Sequence, residues 1–183
     1  MSFALPTYHF DENLREIPDD LDKWKISAVV LQETLEITDA PYENLVLLEN
    51  LGFVLRVLGR LDEAEAMLKE ALSLSSDHPN PLRSLQNMMR LAHVYQWKKD
   101  FKKANGIFSD VKKMLKGSGV SDGILSTFHL HFGKLLFDQE KFKEAESHFK
   151  MALEIRETIK APQDQVSSSR FALEQARKRT ENL

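Results

Sequence analysis

Three histidines come closest to a metal-binding pattern in this sequence. His129 and His131 lie two positions apart, and His148 follows on a later segment. On a helix, side chains two positions apart point about 200° away from each other, so these two cannot share one ion. His148 could approach from another helix, but no carboxylate at ligand spacing accompanies the histidines. We therefore predict no metal site and no bound cofactor.

Lysines dominate the segment from residue 98 to residue 116, where only Asp100 and Asp110 oppose them. The basic residues are Lys98, Lys99, Lys102, Lys103, Lys112, Lys113 and Lys116. Few aromatic residues interleave with them, whereas stacking on a single-stranded nucleic acid requires such rings. A solvated helix face is the ordinary explanation, and an acidic partner or an RNA backbone is the alternative. We expect no nucleic-acid partner.

The glycine-containing segment from Gly117 to Gly123 could suggest a phosphate-binding loop. No strand-like run precedes it, and no Gly-Lys-Ser or Gly-Lys-Thr follows it, so the pattern indicates a turn. The sequence contains no cysteine, which excludes a thiol nucleophile and the cysteine-containing zinc sites. No pattern places a serine nucleophile on a sharp turn beside a base. We predict a protein that is not an enzyme.

The length is typical of one domain or two small ones, and we predict a single domain covering residues 1–183. The chain has 183 residues, of which 42% are hydrophobic, and a net charge of −3. A charge this close to zero disfavours a dedicated nucleic-acid binder. No stretch approaches the roughly 20 apolar residues of a membrane span, and the first residues do not resemble a signal peptide. We expect a cytoplasmic protein without a membrane partner.

Three segments of the chain share one spacing of small and apolar residues. A small residue is followed 12 positions later by an alanine in three pairs: Gly52 and Ala64, Ala92 and Ala104, Gly133 and Ala145. A large apolar residue stands three positions before each alanine: Leu61, Phe101 and Phe142. The step from one alanine to the next is 40 and then 41 positions. The agreement indicates an internal repeat.

Each repeat is predicted to form two antiparallel helices, an A helix followed by a B helix. The small residue in the A helix lets the partner helix approach closely, and the alanine in the B helix provides space for its neighbour. The predicted segments are an irregular N-terminal segment (1–19), a degenerate B-type helix (20–38), repeats 1 to 3 (43–76, 81–117 and 122–159) and a polar A-type capping helix (163–180).

These small, aromatic and alanine positions resemble the signature of the tetratricopeptide repeat over about residues 43–158. The period is longer than the usual value of about 34 residues. It is similar to the longer-repeat branch typified by kinesin light chains, and Ala152 to Glu157 resembles a phrase common there. The resemblance implies an all-α fold, a right-handed α-solenoid of antiparallel helix pairs with one extra helix at each end.

In this family, the A helices line a concave wall that holds peptides or partner helices. The resemblance implies that four positions of each A helix face this wall. They are Val46, Glu49, Phe53 and Arg56 in repeat 1, Gln86, Met89, His93 and Gln96 in repeat 2, and Thr127, Leu130, Lys134 and Phe137 in repeat 3. The mixture of apolar and polar groups suits a protein or peptide partner. We expect an adaptor, scaffold or regulator that binds a partner segment in this groove.

Three other interpretations stay open, the last of them an enzyme or ligand sensor with a site between repeats. The chain's own N-terminal segment carries enough apolar surface to cover the groove until a partner displaces it, through Tyr8, Phe10, Leu14 and Ile17. Alternatively, the protein is a self-associating structural subunit whose edge helices, residues 20–38 and 163–180, pair between chains. The second interpretation implies a homo-oligomer.

Overall fold

The structure is a computed structural model that describes residues 4–76, 80–116 and 119–181. The strands are β1 (Tyr8–Phe10) and β2 (Glu16–Pro18). The helices are α1 (Leu21–Ile37), α2 (Pro41–Val57), α3 (Leu61–Ser76), α4 (Pro81–Trp97), α5 (Phe101–Lys116), α6 (Asp122–Asp138), α7 (Phe142–Thr158) and α8 (Gln163–Glu181). Residues 117 and 118 of the predicted glycine-containing turn lie outside the described residues. Among the helices described, none is long and apolar enough to cross a membrane.

Contacts between residues divide the chain into two compact units. Unit 1 consists of Met1–Asp11 and Arg15–Lys99, and unit 2 consists of Glu12–Leu14 and Asp100–Leu183. In unit 1, α2 packs on α1 and α3, and α3 packs on α4; in unit 2, α6 packs on α5 and α7, and α7 packs on α8. The protein is an all-α solenoid of helix pairs, which confirms the predicted fold class. The assignment of the whole chain to one domain stays a prediction.

Apolar side chains at helical spacing form the core of unit 1. Leu45 and Leu48 on α2 are buried against Ala71 on α3. Trp24 and Leu31 are fully buried on α1. Removing a large aliphatic or aromatic side chain from water contributes about 1.5–3 kcal/mol to folding. These buried residues form the core stripe of each helix. The stripe fixes which face of the helix points inward and leaves the other faces available for function.

Two glycines on A helices let the following B helix approach. A Cβ atom at Gly52 would lie 2.6 Å from Cγ of Leu68 on α3, and one at Gly133 would lie 2.6 Å from Cε1 of Phe149 on α7. Carbon atoms in contact are normally about 3.5–4.0 Å apart, so neither site has room for a methyl group. The equivalent position on α4 carries Ala92, which is fully buried.

The core of unit 2 is one cluster formed by α6, α7, α8 and the tip of the N-terminal segment. Its buried members are Leu14, Leu130, Leu136, Phe137, Ala145, Phe149, Ala152, Ala172, Leu173 and Ala176. The alanines lie on α7 and α8, where small side chains allow helices to pack closely. The rings of Phe108 and Phe132, with centroids 5.4 Å apart, extend the apolar packing to α5.

The turns that follow the three A helices repeat one backbone geometry. Gly59, Lys99 and Glu140 occupy equivalent positions after α2, α4 and α6, and their φ angles are 76°, 59° and 60°. A left-handed residue at this point ends a helix and satisfies its last carbonyl groups. The repeat is therefore present in the backbone even where the sequence places a lysine or a glutamate instead of a glycine.

The N-terminal segment corrects one prediction, because residues 1–19 are not wholly irregular. Strands β1 and β2 pair antiparallel, with His9 opposite Ile17. The carboxylate of Asp11 accepts a hydrogen bond from the backbone N–H of Arg15 at 2.8 Å, and the N–H of Asp11 donates to the Arg15 carbonyl at 3.0 Å. Strands of three residues are too short to show an alternating pattern, so periodicity alone could not reveal them.

Candidate functional site

Most of the twelve positions predicted for the groove are buried. The buried side chains are Glu49, Arg56, Met89, His93, Gln96, Leu130, Lys134 and Phe137. The half-buried side chains are Val46, Phe53, Gln86 and Thr127. An open concave wall would expose such side chains to solvent. The groups that cover these side chains therefore indicate which chemistry the A-helix face can bind.

Glu49 on α2 is the centre of a charge cluster with α4. Arg83 donates two hydrogen bonds to its carboxylate, from Nε to Oε1 at 2.8 Å and from Nη2 to Oε2 at 2.5 Å. Nη1 of Arg90 lies 3.3 Å from the same Oε2. The hydrogen bonds to Glu49 raise the pKa of Arg83. Because two guanidinium groups surround one carboxylate, this part of the face carries excess positive charge.

Arg56 on α2 is covered by the N-terminal hairpin, by which we mean β1, β2 and the residues that join them. Its Nη1 donates to Oε2 of Glu16 at 2.9 Å, and the two side chains are only 4% and 5% exposed. The guanidinium also lies over the rings of Phe53 and Trp97, at 5.1 Å and 4.7 Å from their centroids. Arg15 lies over the Trp97 ring as well, at 4.9 Å. A planar cation suits both contacts, because it pairs with carboxylates and stacks on rings.

Aromatic rings fix β1 on the same face of unit 1. The Tyr8 ring contacts Phe53 and Trp24 edge-on, with centroid distances of 6.0 Å and 6.1 Å. Nε1 of Trp24 donates to the backbone carbonyl of Thr7 at 3.1 Å. Edge-to-face pairs at these distances are favourable beyond the area that they bury. In unit 1, the chain's own N-terminal hairpin therefore covers part of the predicted groove, although Tyr8 and Ile17 keep 39% and 37% of their surface exposed.

The predicted positions on α6 lie in unit 2 and have other neighbours. Leu130 and Phe137 belong to the buried cluster that includes Leu14. The hydroxyl of Thr127 donates to a backbone carbonyl one turn earlier at 2.9 Å, and Lys134 is buried. Leu130 and Phe137 thus pack in the core of unit 2. A role for the α6 side chains in binding a partner stays a prediction.

His129 on α6 and His148 on α7 face each other, and their Nδ1 atoms are 2.8 Å apart. Burial, with smaller effects of His129 and Lys112, lowers the pKa of His148 to about 4. Burial also lowers the pKa of His129. Two neutral rings can share one hydrogen bond in this geometry. In the part of the chain that the structure describes, no group of three or more His, Asp or Glu could hold a metal ion.

Several residues of the unit 1 face are missing from the predicted set. Arg83 stands three positions before Gln86, so the same side of α4 extends one turn further than the prediction placed it. The helical period could have revealed this extension. Glu16 gave no such signal, because its partner Arg56 is 40 positions away in the sequence. Only the folded chain brings the two together.

Comparison with known proteins supports the repeat. A family model described as "Tetratricopeptide repeat" matches residues 45–80 and 130–159. Among curated protein sequences, none matches this chain. The two matched segments include the glycines, alanines and large apolar residues of the first and third repeats.

Solved structures share the fold at low sequence identity. PlcR of Bacillus thuringiensis, in complex with the peptide PapR7 and DNA, has a TM-score of 0.74 and 15% identity, covering 87% of this chain and 58% of its own. BtubC of P. vanneervenii has a TM-score of 0.60 and 17% identity, covering 87% and 67%. A Podospora anserina protein described as a kinesin light chain has a TM-score of 0.55 and 13% identity, covering 88% and 79%. This chain thus spans less than two thirds of PlcR.

These findings define the class of fold and the kind of repeat that it contains. The paired helices and their repeated close contacts make the chain an α-solenoid of helix-pair repeats. The family model then identifies tetratricopeptide repeats in residues 45–80 and 130–159, as the repeat signature predicted.

Proposed function

We propose that this protein is a non-catalytic interaction module, an adaptor, scaffold or regulator, that holds a peptide or helix of a partner protein on its A-helix face. One observation carries the proposal. The inner sides of α2 and α4 bear a second set of side chains beside the core stripe, and in unit 1 this set contacts a non-helical segment through Arg56 and Phe53. A face that accepts one such segment has the chemistry to accept another.

The likeness to PlcR adds support for a peptide ligand. That structure contains the peptide PapR7 bound to a protein with the same fold. It also contains DNA, but this chain spans only 58% of PlcR. We therefore propose a peptide as the class of partner. We do not propose a nucleic acid, because the net charge of the chain is −3.

Three half-buried groove positions provide the test. Val46, Gln86 and Thr127 stand six residues before the small residue of each A helix. We replace all three with lysine, because charged side chains there should repel a partner without opening the core. Proteins retained by the immobilised chain are identified by mass spectrometry. The specific partner should be retained at least ten-fold less by the triple-lysine variant.

A matched control adds the same charge elsewhere. Ala66, Gly106 and Ser147 stand two positions after the alanine of each B helix and are exposed. Their triple replacement with lysine should leave retention unchanged. Circular dichroism checks that both variants keep the helical content of the wild type. Equal retention by the groove variant and the control variant would show that the A-helix face is not the binding site.

A second candidate function is self-association, and the outer side of α1 favours it. Five large apolar side chains there are between 42% and 82% exposed: Leu21, Ile26, Val29, Val30 and Ile37. Apolar patches of this kind mark interaction sites in soluble proteins. Light scattering over a wide range of protein concentration tests the idea, because a constant monomer mass would eliminate it.

A further inference from the structure

The N-terminal hairpin binds the A-helix face of unit 1 with two kinds of chemical group. The ring of Tyr8 packs against Phe53, and the carboxylate of Glu16 pairs with Arg56. Two strands of three residues are too short to be stable by themselves in water. The contacts with the helices therefore hold the hairpin in place.

One residue in the connection between the two strands has an unfavourable backbone conformation. Leu14 has a φ angle of 62°, a left-handed conformation in which a Cβ atom collides with the backbone. Three-residue hairpin connections normally place glycine there. A strained residue of this kind persists because its surroundings impose it. The hairpin is thus held by its contacts with the helices. A ligand that makes stronger contacts with the same helices can therefore replace it.

A segment that replaced the hairpin would cover Arg56 again, and without a carboxylate it would leave a buried cation unpaired. Arg56 pairs with Glu16, whereas the carboxylate of Glu49 already accepts hydrogen bonds from Arg83 and lies beside Arg90. A buried guanidinium that loses its counter-charge is strongly destabilising. A segment that replaces the hairpin must therefore bring a carboxylate of its own.

We propose that the N-terminal hairpin is a built-in ligand, and that the partner of unit 1 is a protein segment carrying an aromatic ring and a carboxylate in the arrangement of Tyr8 and Glu16. The partner displaces the hairpin, puts its carboxylate on Arg56 and packs its ring on Phe53. This inference rests on the proposed function and specifies its ligand. It predicts that the hairpin sequence itself binds in trans once the hairpin in the chain is weakened.

The experiment uses the full chain and a labelled synthetic peptide with the sequence of residues 4–20. The acceptor is the double variant Tyr8→Ala, Glu16→Gln. The glutamine keeps the shape of the Glu16 side chain but removes its negative charge, and the alanine removes the ring that packs on Phe53. Fluorescence anisotropy should show at least ten-fold tighter binding of the peptide to the double variant than to the wild type. A peptide carrying Glu16→Gln should bind the double variant at least ten-fold more weakly than the unmodified peptide.

A second acceptor guards against a variant that does not fold. Tyr8→Ala alone leaves the ion pair in place and should bind the peptide at least three-fold tighter than the wild type. Circular dichroism and trypsin cleavage after Arg15 report the helices and the hairpin separately. We expect trypsin to cleave both variants after Arg15 faster than the wild type, and the helical content of the three chains to be the same. Equal binding to all three chains, or no loss with the Glu16→Gln peptide, would overturn the inference.

The outcomes separate this inference from the proposed function. If the triple-lysine groove variant loses its partner while the peptide binds neither acceptor, the module binds partners but the hairpin is not a model of the ligand. If the peptide binds as expected while partner retention is unaffected by the lysines, the hairpin chemistry is correct and the proposed partner surface is wrong.

Discussion

At the scale of single residues, the facing histidines of unit 2 predict a dependence of stability on pH. His148 has its pKa lowered to about 4 in the folded chain by burial, by His129 and by Lys112, whereas an unfolded histidine has a pKa of about 6.5. The unfolded chain therefore binds more protons between these two values. We expect the free energy of unfolding to fall by about 1–2 kcal/mol as the pH drops from 6.5 to 4, because partial solvent exposure reduces the full effect.

Urea unfolding at a series of pH values measures this loss, and His148→Asn is the matched variant. The variant keeps a polar group on α7 but does not titrate, so its stability should change less than that of the wild type over the same range. His129 and Lys112 face this position from α6 and α5, and both stay in the variant. Parallel pH profiles for wild type and variant would show that His148 is not the responsible group.

The residue scale also shows why the groove could be predicted only in part. The register of the repeats predicts that Glu49 and Arg56 face the groove, and in the structure both side chains form buried ion pairs. It gave no information on the carboxylate that pairs with Arg56, because Glu16 lies outside the repeat pattern, and the predicted set stopped one turn short of Arg83 on α4. A helical period specifies which side of a helix a residue occupies, and it does not specify what covers that side.

At the scale of helices, the close contact between α6 and α7 predicts the effect of adding one methyl group. A Cβ atom at Gly133 would lie 2.6 Å from Phe149, and an aromatic ring in a packed core has little freedom to move. Alanine is a better helix former than glycine by about 1 kcal/mol, but overpacking costs about 1–3 kcal/mol. We expect Gly133→Ala to lower the free energy of unfolding by about 1 kcal/mol, measured by urea denaturation.

Gly106 supplies the control for this substitution. It lies within α5, and a Cβ atom there would meet no atom within 4 Å. Gly106→Ala should therefore stabilise the chain by about 0.5–1 kcal/mol through helix propensity alone. The two changes are chemically identical, so their opposite signs would isolate the contact with Phe149. A stabilising Gly133→Ala would mean that α7 can move away from α6.

The helices were predictable because the repeat supplies the same information three times. Gly59, Lys99 and Glu140 share one left-handed geometry although only the first is a residue that favours it. The position within the repeat therefore decides the backbone more strongly than the residue type does. The N-terminal hairpin is not part of the repeat. It is held by contacts with α1, α2 and α4 and by Leu14 in the core of unit 2, so its strands could not be found from the sequence.

At the scale of the whole molecule, the two edge helices differ in what they present to solvent. The exposed side of α8 carries polar and charged residues, including Arg170, Glu174 and Arg177, which suits a terminal cap. The exposed side of α1 carries large apolar residues among its charged ones, with Ile26 at 62% and Ile37 at 82% exposure. Water disfavours such a surface, so association through α1 would bury it.

This difference predicts which edge helix controls self-association. We expect the mass of the wild type to rise with concentration in sedimentation equilibrium, and the double variant Ile26→Lys, Ile37→Lys to stay monomeric because each new charge would be desolvated in a contact. Gln165→Lys with Ser167→Lys places the same two charges on exposed positions of α8 and should associate like the wild type. If both variants behave alike, the exposed apolar residues of α1 do not drive association.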